Sequence, residues 1–288
     1  MRSEITVGLD GSPESLSAAR WAAREAQLRG LPVRLLHLWL VSPAAVPQVP
    51  SGDVRTAVGQ RILRDAESEL REHYPDVPFT TELLPAVTPA AVLSAAGDAE
   101  LLVLGSQGIG TGVGYLIGSL ALYTVARSEH PVVLVRAYDG ADGTMTPAAQ
   151  SGPVAVAVSG RSGYDGVLES AFDAADRQRT SLLAVHATSR RPSLTVWQGP
   201  PDEAVQQTDR HELTATLRPW REKFPAVDVV ERLSHESPAR AVIDAAAGAR
   251  LLVVGRGGYR TPLAPRIGPV TQAAIHHAPC PLAVIPHD

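Results

Sequence analysis

A glycine-rich stretch that follows an apolar run has the composition of a phosphate-binding loop. The run at residues 101–104 ends at Gly105, and Gly108, Gly118 and Ser119 follow it. Glycine lets backbone N–H groups approach an anion closely, and the N-terminus of a following helix adds unsatisfied donors and a partial positive charge. The Ser119 hydroxyl could cap that helix or contact a phosphate oxygen. The stretch therefore indicates binding of a phosphate-bearing ligand.

The same arrangement of an apolar run and glycines occurs again about 150 residues later. An apolar run at residues 251–254 precedes Gly255, Gly258 and Gly268, which repeat the spacing of the three earlier glycines. An internal repeat of this kind predicts two similar domains, in agreement with the usual size of a domain, roughly 150 residues. We predict a first domain over 1–137, a small, polar and turn-rich linker over 138–152, and a second domain over 153–288.

Short apolar runs alternate with helical patterns throughout both repeats. Strands are predicted at 5–9, 33–41, 77–84, 101–104 and 132–135, and again near 154–158, 182–187, 227–233, 251–254 and 282–285. Strands separated by helices imply right-handed crossovers and a parallel sheet that is covered on both faces. The predicted fold class is α/β, with two similar doubly wound domains, each a five-stranded parallel sheet flanked by helices.

Such a fold brings the candidate binding residues together. Asp10 follows the first predicted strand, and Gly105 follows the fourth. In doubly wound sheets, ligands bind beyond the carboxyl ends of the strands, where the strand order reverses. We therefore expect Asp10 and Gly105 to border one crevice. The alternative for Asp10 is a plain turn, since Asp-Gly commonly forms one before a helix.

Composition narrows the class of partner. A net charge of −4 and a pI near 6.1 give no basic surface for nucleic acid, and no apolar run approaches the ~18 residues of a membrane span. The first ten residues contain Glu4 and Asp10 and lack the apolar core of a secretory signal. The one cysteine, Cys280, excludes an intrachain disulfide and is typical of a reducing compartment. We expect a cytoplasmic protein without nucleic-acid or membrane partners.

Other nucleotide and catalytic motifs do not match. No Gly-Lys-Ser/Thr follows the loop, as a Walker A motif requires, and the glycines do not form G-x-G-x-x-G. Tyr164 occupies the last position of what would otherwise be a nucleophile elbow around Ser162. Because no set of nucleophile, general base and orienting group is visible, efficient catalytic turnover is not expected.

An aspartate after the first strand, followed by Gly-x2-Gly-x9-Gly-Ser after the fourth, resembles the ATP-binding branch of the universal stress protein family. Gly105, Gly108, Gly118 and Ser119 meet that spacing. The ending at 277–285 also looks like the family's final strand. The likeness covers nearly all of both repeats, so the chain looks like a tandem-domain member.

The resemblance implies that adenine lies at the end of the second strand and that the phosphates lie in the glycine loop. The cofactor-binding residues that it implies are Asp10, Leu38, Leu104, Gly105, Gly108, Gly118, Ser119 and Leu120. A bare carboxylate would repel a polyphosphate, so Asp10 is expected to meet the ribose or a Mg²⁺ ion bound with ATP. The resemblance further implies that the two fifth strands pair antiparallel into an internal pseudo-dimer; association of two chains into a homodimer is left open.

The second repeat departs from this pattern at two positions. Ser159 stands where Asp10 stands in the first repeat, and Pro269 replaces Ser119. Proline removes a hydroxyl and an N–H donor, although it is tolerated as a first helical residue. We expect the first repeat to bind ATP and the second to bind it weakly or not at all.

The function implied by the resemblance is that of an ATP-binding stress or regulatory protein that responds to adenine nucleotide. Two alternatives stay open. One is a Mg²⁺-dependent ATPase or adenylate-cleaving enzyme that uses Asp10. The other is a nucleotide-free interaction module, which the departures in the second repeat would suit.

Overall fold

The protein is described by a computed structural model that covers two compact units. The described residues are 3–40, 52–86, 90–97, 99–106, 115–137, 151–159, 163–188, 203–257 and 267–287. Unit 1 spans Met1–Thr146 and unit 2 spans Pro147–Asp288. Both units are α/β, as the sequence predicts.

Unit 1 is a parallel sheet with helices on both faces. Its elements are β1 (Glu4–Leu9), α1 (Pro13–Arg29), β2 (Val33–Leu40), α2 (Gly52–His73), β3 (Phe79–Ala86), α3 (Ala90–Ala95), β4 (Ala99–Gly105), α4 (Tyr115–Arg127) and β5 (Val132–Val135). The strand order is β3-β2-β1-β4-β5, and every neighbouring pair is parallel. Helix α1 packs on α2, while α3 packs on α4. The order therefore reverses between β1 and β4.

Unit 2 repeats this architecture. Its elements are β6 (Val154–Val158), α5 (Asp165–Arg177), β7 (Leu182–Ala187), α6 (Glu203–Lys223), β8 (Val229–Ser234), α7 (Pro238–Ala246), β9 (Leu251–Gly257), α8 (Pro269–His277) and β10 (Leu282–His287). The strand order is β8-β7-β6-β9-β10, and every neighbouring pair is parallel. The ten predicted strands are confirmed, with ends displaced by at most three residues.

Continuous apolar runs form the central strands because those strands are covered on both faces. Every residue of β6 is buried, and so is every residue of β4 except Glu100. By contrast, burial alternates along part of β8, which lies at the end of the unit 2 sheet. The core of each unit thus lies on either side of its middle strands.

Helix α4 begins earlier than the sequence analysis predicts. It starts at Tyr115 rather than at Ser119, so Gly118 lies within the helix. A single helical glycine costs about 1 kcal/mol relative to alanine and does not by itself end a helix. In an α-helix that starts at Tyr115, the Ser119 N–H lies opposite the Tyr115 carbonyl oxygen. Gly118 and Ser119 therefore belong to helix α4 and not to the loop before it.

The first helix of each unit ends in a left-handed turn, but with different residues. Gly30 follows α1 with φ of 67°, and Arg179 follows α5 with φ of 49°. In both turns the next N–H bonds back into the last helical turn, from Leu31 to Ala26 and from Thr180 to Ala175, each at 3.0 Å. A left-handed conformation costs an L-residue roughly 1–2 kcal/mol, and glycine avoids most of that cost.

We expect Arg179→Gly to stabilise unit 2 by about 1 kcal/mol, because the exposed arginine is strained where unit 1 has glycine. Urea unfolding followed by circular dichroism measures the change. The matched control is Gly30→Ala, at a site where an added Cβ would meet no atom within 4 Å. That control isolates the backbone strain and should destabilise unit 1 by about 1 kcal/mol. A less stable Arg179→Gly chain would contradict the strain argument.

Candidate functional site

Four of the predicted site residues lie at adjoining strand ends in unit 1. The register pairs Gly8 with Leu104, so Asp10 and Gly105 follow on neighbouring strands at the point where the strand order reverses. Leu38 lies near the end of β2, on the other side of β1. Leu104 is buried, Leu38 is half-buried and Asp10 is exposed. The strand ends that the sequence predicts to border the crevice are therefore neighbours at the carboxyl edge of the sheet.

The remaining predicted residues lie on helix α4 or outside the described residues. Gly118, Ser119 and Leu120 belong to α4, which packs against β4 and β5, and Leu120 is half-buried. Gly108 lies outside the described residues. The structure thus places the strand-end residues of the candidate site and the helix that follows its glycine loop.

Asp10 begins a tight turn into helix α1. Its Oδ1 accepts hydrogen bonds from the Ser12 N–H at 2.9 Å and from the Ser12 hydroxyl at 2.5 Å. Ser12 is also the N-cap of α1, and its Oγ accepts a hydrogen bond from the Ser15 N–H at 3.1 Å. These bonds hold the carboxylate at the strand end through Oδ1. The turn-forming role of Asp10 is thus observed, and it leaves Oδ2 as an acceptor towards a ligand or a cation.

Gly105 is required because helix α1 approaches it closely. A Cβ at this position would lie 2.6 Å from the Ser15 nitrogen and 2.7 Å from the Glu14 carbonyl carbon. Both are backbone atoms of the first turn of α1, and neither can move as a side chain can. Glycine at this strand end therefore lets the N-terminus of α1 pack over the switch between β1 and β4.

A histidine clamps the neighbouring strand ends in each unit. His37 Nδ1 lies 2.8 Å from the Leu9 carbonyl oxygen, and His186 Nδ1 lies 3.1 Å from that of Val158. Because a carbonyl oxygen can only accept, Nδ1 of each ring is the donor in this hydrogen bond. In each unit the histidine therefore links the ends of the first two strands.

In unit 2 the equivalent crevice is built differently. Pairing between β6 and β9 ends at Val156 and Val253, one residue earlier than the matching pair in unit 1. The Tyr164 hydroxyl bridges the gap: it donates to the Ala157 carbonyl oxygen at 2.6 Å and accepts from the Gly255 N–H at 3.2 Å. The phenol group of Tyr164 therefore lies between β6 and β9, where the strand order of unit 2 reverses.

Tyr164 lies close to Gly255, as the first turn of α1 lies close to Gly105 in unit 1. Helix α5 begins only at Asp165, and Tyr164 aligns with Ser15 of the first repeat. A Cβ on Gly255 would lie 2.6 Å from Tyr164 Cε2, just as one on Gly105 would meet the backbone of α1. Sequence analysis missed this role, although a large aromatic residue just before a helix, in place of a serine, was the available signal.

Burial raises the pKa of Tyr164 to about 12, and the hydrogen bond from the Gly255 N–H opposes the shift. Between pH 10 and 12 the unfolded chain releases a phenolic proton that the folded chain retains. The contribution of Tyr164 to stability is therefore complete below pH 10 and is lost as the pH rises towards 12.

We expect Tyr164→Phe to destabilise unit 2 by about 1–3 kcal/mol, because it leaves the Ala157 carbonyl oxygen and the Gly255 N–H without their shared partner. Urea unfolding at pH 7.5 measures the loss, with Tyr74→Phe at a half-buried tyrosine as the control. The difference between wild type and Tyr164→Phe should shrink above pH 10. A constant difference up to pH 11.5 would contradict the burial argument.

A cavity of about 400 Å³ lies at the carboxyl ends of β6, β7 and β9, against the N-terminal turns of α7 and α8. Ser159, Gly255, Gly268 and Pro269, the counterparts of the unit 1 site residues, all line it. Unit 2 therefore has a cavity at the position of the predicted nucleotide site, even though it lacks the aspartate and the serine of unit 1.

The described residues hold no preformed metal site. Among them, no group of three or more His, Cys, Asp or Glu side chains could hold an ion. Mg²⁺ commonly binds through one or two carboxylates together with the phosphates of its nucleotide. Asp10 at the strand end fits that mode, with a nucleotide supplying the other ligands. No helix in the described part of the chain is long and apolar enough to cross a membrane.

Comparisons with known proteins agree with the repeat. The model of the universal stress protein family matches residues 1–136 and 151–286. A universal stress protein of Mycobacterium tuberculosis strain H37Rv is 33% identical over 279 residues, which cover 92% of this chain and 91% of the relative. The crystal structure of a universal stress protein from Archaeoglobus fulgidus superposes with a TM-score of 0.70 at 15% identity, covering 98% of both chains.

One further solved structure is a universal stress protein from Archaeoglobus fulgidus in complex with dAMP. It is 26% identical, covers 46% of this chain and 97% of its own, and has a TM-score of 0.35. The family model and the mycobacterial relative both extend over the two units, and the chain belongs to the universal stress protein family.

Proposed function

We propose that unit 1 binds ATP, with Mg²⁺ bound alongside its phosphates, and that the chain is a nucleotide-responsive regulatory protein without efficient turnover. The observation that carries the proposal is the meeting of Asp10 and Gly105 at neighbouring strand ends where the strand order reverses. That position is the usual ligand site of a doubly wound sheet. The glycine spacing of residues 105–118 then supplies a loop suited to phosphate.

Each proposed contact has a distinct role. Leu38 at the end of β2 would lie against the adenine ring, with Leu104, Gly105 and Leu120 along the ribose and phosphates. Gly108 and Gly118 would let the backbone approach phosphate oxygens, and the Ser119 hydroxyl would donate to one of them. Asp10 Oδ2 would accept from a ribose hydroxyl or meet the Mg²⁺ ion. The ion would offset the repulsion between the carboxylate and the polyphosphate.

Bound nucleotide provides the first test. The freshly purified chain is denatured, and the supernatant is chromatographed for nucleotide per chain. We expect one equivalent of ATP, held by unit 1. Two equivalents would show that Ser159 and Pro269 are tolerated in unit 2. No nucleotide, together with no heat on titration with ATP and Mg²⁺, would favour the interaction module. A kcat of at least about 1 s⁻¹ would favour the ATPase.

Ser119→Ala tests the phosphate contact in unit 1. We expect ATP affinity to fall about 10-fold or more, because a hydrogen bond to a charged group is lost while the helix is retained. Isothermal titration calorimetry with ATP and Mg²⁺ measures the change. Ser94→Ala, at an exposed position on α3, is the control and should leave the affinity unchanged. Equal affinities for Ser119→Ala and wild type would remove Ser119 from the site.

Several sequence predictions accompany this proposal. The domain limits of 1–137 and 153–288, with a linker over 138–152, are proposed for limited proteolysis to test. The pairing of the two fifth strands into a pseudo-dimer, a homodimer of chains and a cytoplasmic location stay predictions of the sequence.

A further inference from the structure

We propose that Arg71 and Arg221 keep the outer edge of each sheet from pairing with the same edge of a second chain. Each arginine binds a backbone carbonyl oxygen that an added strand would use. The contact occurs in both repeats, and it involves none of the residues of the candidate nucleotide site.

Strands β3 and β8 are edge strands. Strand β3 pairs with β2 and β8 pairs with β7, and within the described part of the chain no strand lies on their other side. Such an edge presents unpaired N–H and C=O groups to which a strand of another molecule can add. Some edge strands avoid this by being very short, but β3 has eight residues and β8 has six. These two edges therefore need another form of protection.

The first residue of each edge strand directs its carbonyl oxygen away from the sheet. The carbonyl oxygens of Pro78 and Asp228 accept hydrogen bonds from the first residues of β2 and β7, each at 2.8 Å. Successive backbone groups of a strand point in opposite directions across the ladder. Those of Phe79 and Val229, one residue later, therefore face outward, where the next strand would lie.

An arginine of the preceding helix binds each of these outward carbonyl oxygens. Arg71 Nη2 of α2 donates to the Phe79 carbonyl oxygen at 3.0 Å, and Arg221 Nη2 of α6 donates to that of Val229 at 3.2 Å. The two arginines occupy matching positions in the repeats, and so do the two carbonyl groups. An added strand would have to displace a charged donor, whose hydrogen bonds are stronger than those of a neutral one.

Different carboxylates hold the two arginines in place. Arg71 Nη2 donates to Glu67 Oε1 at 2.7 Å, one turn earlier on α2, whereas Arg221 Nη2 donates to Glu231 Oε1 at 2.9 Å, on the edge strand itself. Leu217 stands in the second repeat where the first has Glu67. The ion pair thus differs between the repeats while the contact with the carbonyl oxygen is shared. The shared contact is what we assign to edge protection.

Strand β3 has a second protective feature near its other end. By the same alternation, the backbone of Pro85 faces outward, and proline has no N–H to offer an added strand. The matching residue of the second repeat, His235, follows the end of β8. Strand β8 also carries Val230, an apolar residue that is 50% exposed. We therefore expect β8 to depend on its arginine more than β3 does.

The test compares Arg221→Met and Arg71→Met in the full chain by sedimentation velocity over a range of protein concentrations. We expect Arg221→Met to reach at least twice the weight-average mass of wild type, since an edge that pairs with its own copy joins two chains. Arg71→Met should raise the mass less. Lys223→Met is the control: it removes the same charge from the last turn of α6 by breaking an exposed ion pair with Glu169. It should keep the wild-type mass.

Hydrogen exchange measured by mass spectrometry locates the contact. The N–H groups of Glu231 and Leu233 face outward, because they alternate with those that point towards β7. At concentrations where Arg221→Met associates, a peptide covering β8 should gain protection relative to the dilute protein. Wild type should show no such gain in β8.

Three results would overturn the proposal: a wild-type mass for Arg221→Met, equal association by Lys223→Met, or association that leaves β8 unprotected. A larger effect of Arg71→Met than of Arg221→Met would overturn the ranking of the two edges. Circular dichroism checks the fold of each variant. Should Arg221→Met fail to fold, Glu231→Thr replaces it, since it removes the carboxylate that holds Arg221 and introduces the residue of the first repeat. It should associate through β8 as well, and a wild-type mass would again overturn the proposal.

Discussion

Gly105→Ala is expected to destabilise unit 1 by about 3 kcal/mol and to remove its nucleotide binding. The new Cβ would lie 2.6 Å from the Ser15 nitrogen, well inside van der Waals contact. Because the obstructing atoms belong to the backbone of α1, the helix N-terminus must shift away from the strand ends, and overpacking of this kind costs about 1–3 kcal/mol or more. Such a shift would also displace Asp10, which is tied to α1 through Ser12 and Ser15.

Urea unfolding and the amount of nucleotide retained per chain measure the two effects of Gly105→Ala. Gly166→Ala in α5 makes the same chemical change where no atom lies within 4 Å, and it should be neutral or slightly stabilising. Gly255→Ala should cost less than Gly105→Ala, since the new Cβ meets side-chain atoms of Tyr164 and His287 rather than backbone atoms. A Gly105→Ala chain as stable as wild type would contradict the close approach of α1.

Phe172→Ala is expected to destabilise unit 2 by about 3–5 kcal/mol, the usual cost of removing a buried phenyl ring. Phe172 is 0% exposed and stacks on Phe224 at 5.7 Å and on Trp220 at 6.3 Å between ring centroids. The substitution would leave a cavity between α5 and α6 and would remove both aromatic contacts. ATP binding to unit 1 should not depend on it.

Hydrogen exchange measured by mass spectrometry can locate the effect of Phe172→Ala. Peptides from α5 and α6 should lose protection, because both helices share the aromatic cluster. Val205→Ala, at an exposed valine on α6, serves as the control and should change stability by less than about 0.5 kcal/mol. Equal losses of stability in Phe172→Ala and Val205→Ala would show that the aromatic cluster contributes no more to stability than an exposed valine.

The strands of unit 1 and the adjacency of their ends could be predicted because apolar runs mark where buried strands end. Asp10 and Gly105 each follow such a run, and the topology of alternating strands and helices required their strand ends to be neighbours. The local sequence was therefore enough to predict the positions of residues at the ends of the strands.

Other features depend on distances that sequence does not report. The start of α4 at Tyr115 was missed because glycines were read as loop, whereas the helix continues through Gly118. The role of Tyr164 depends on the early end of pairing between β6 and β9 and on the late start of α5. These shifts in strand and helix ends amount to only one to three residues. The three-dimensional structure was needed to show that Tyr164 lies between β6 and β9.

Different groups lie against the fourth strand of the two units, and this affects how each unit can change by mutation. In unit 1 backbone atoms of α1 lie close to Gly105, and a substitution in α1 changes a side chain but not those backbone atoms. In unit 2 the side chain of Tyr164 lies at the corresponding strand ends. A single substitution can change the length and shape of that side chain. Single substitutions can therefore change the shape of this strand-end region more readily in unit 2 than in unit 1.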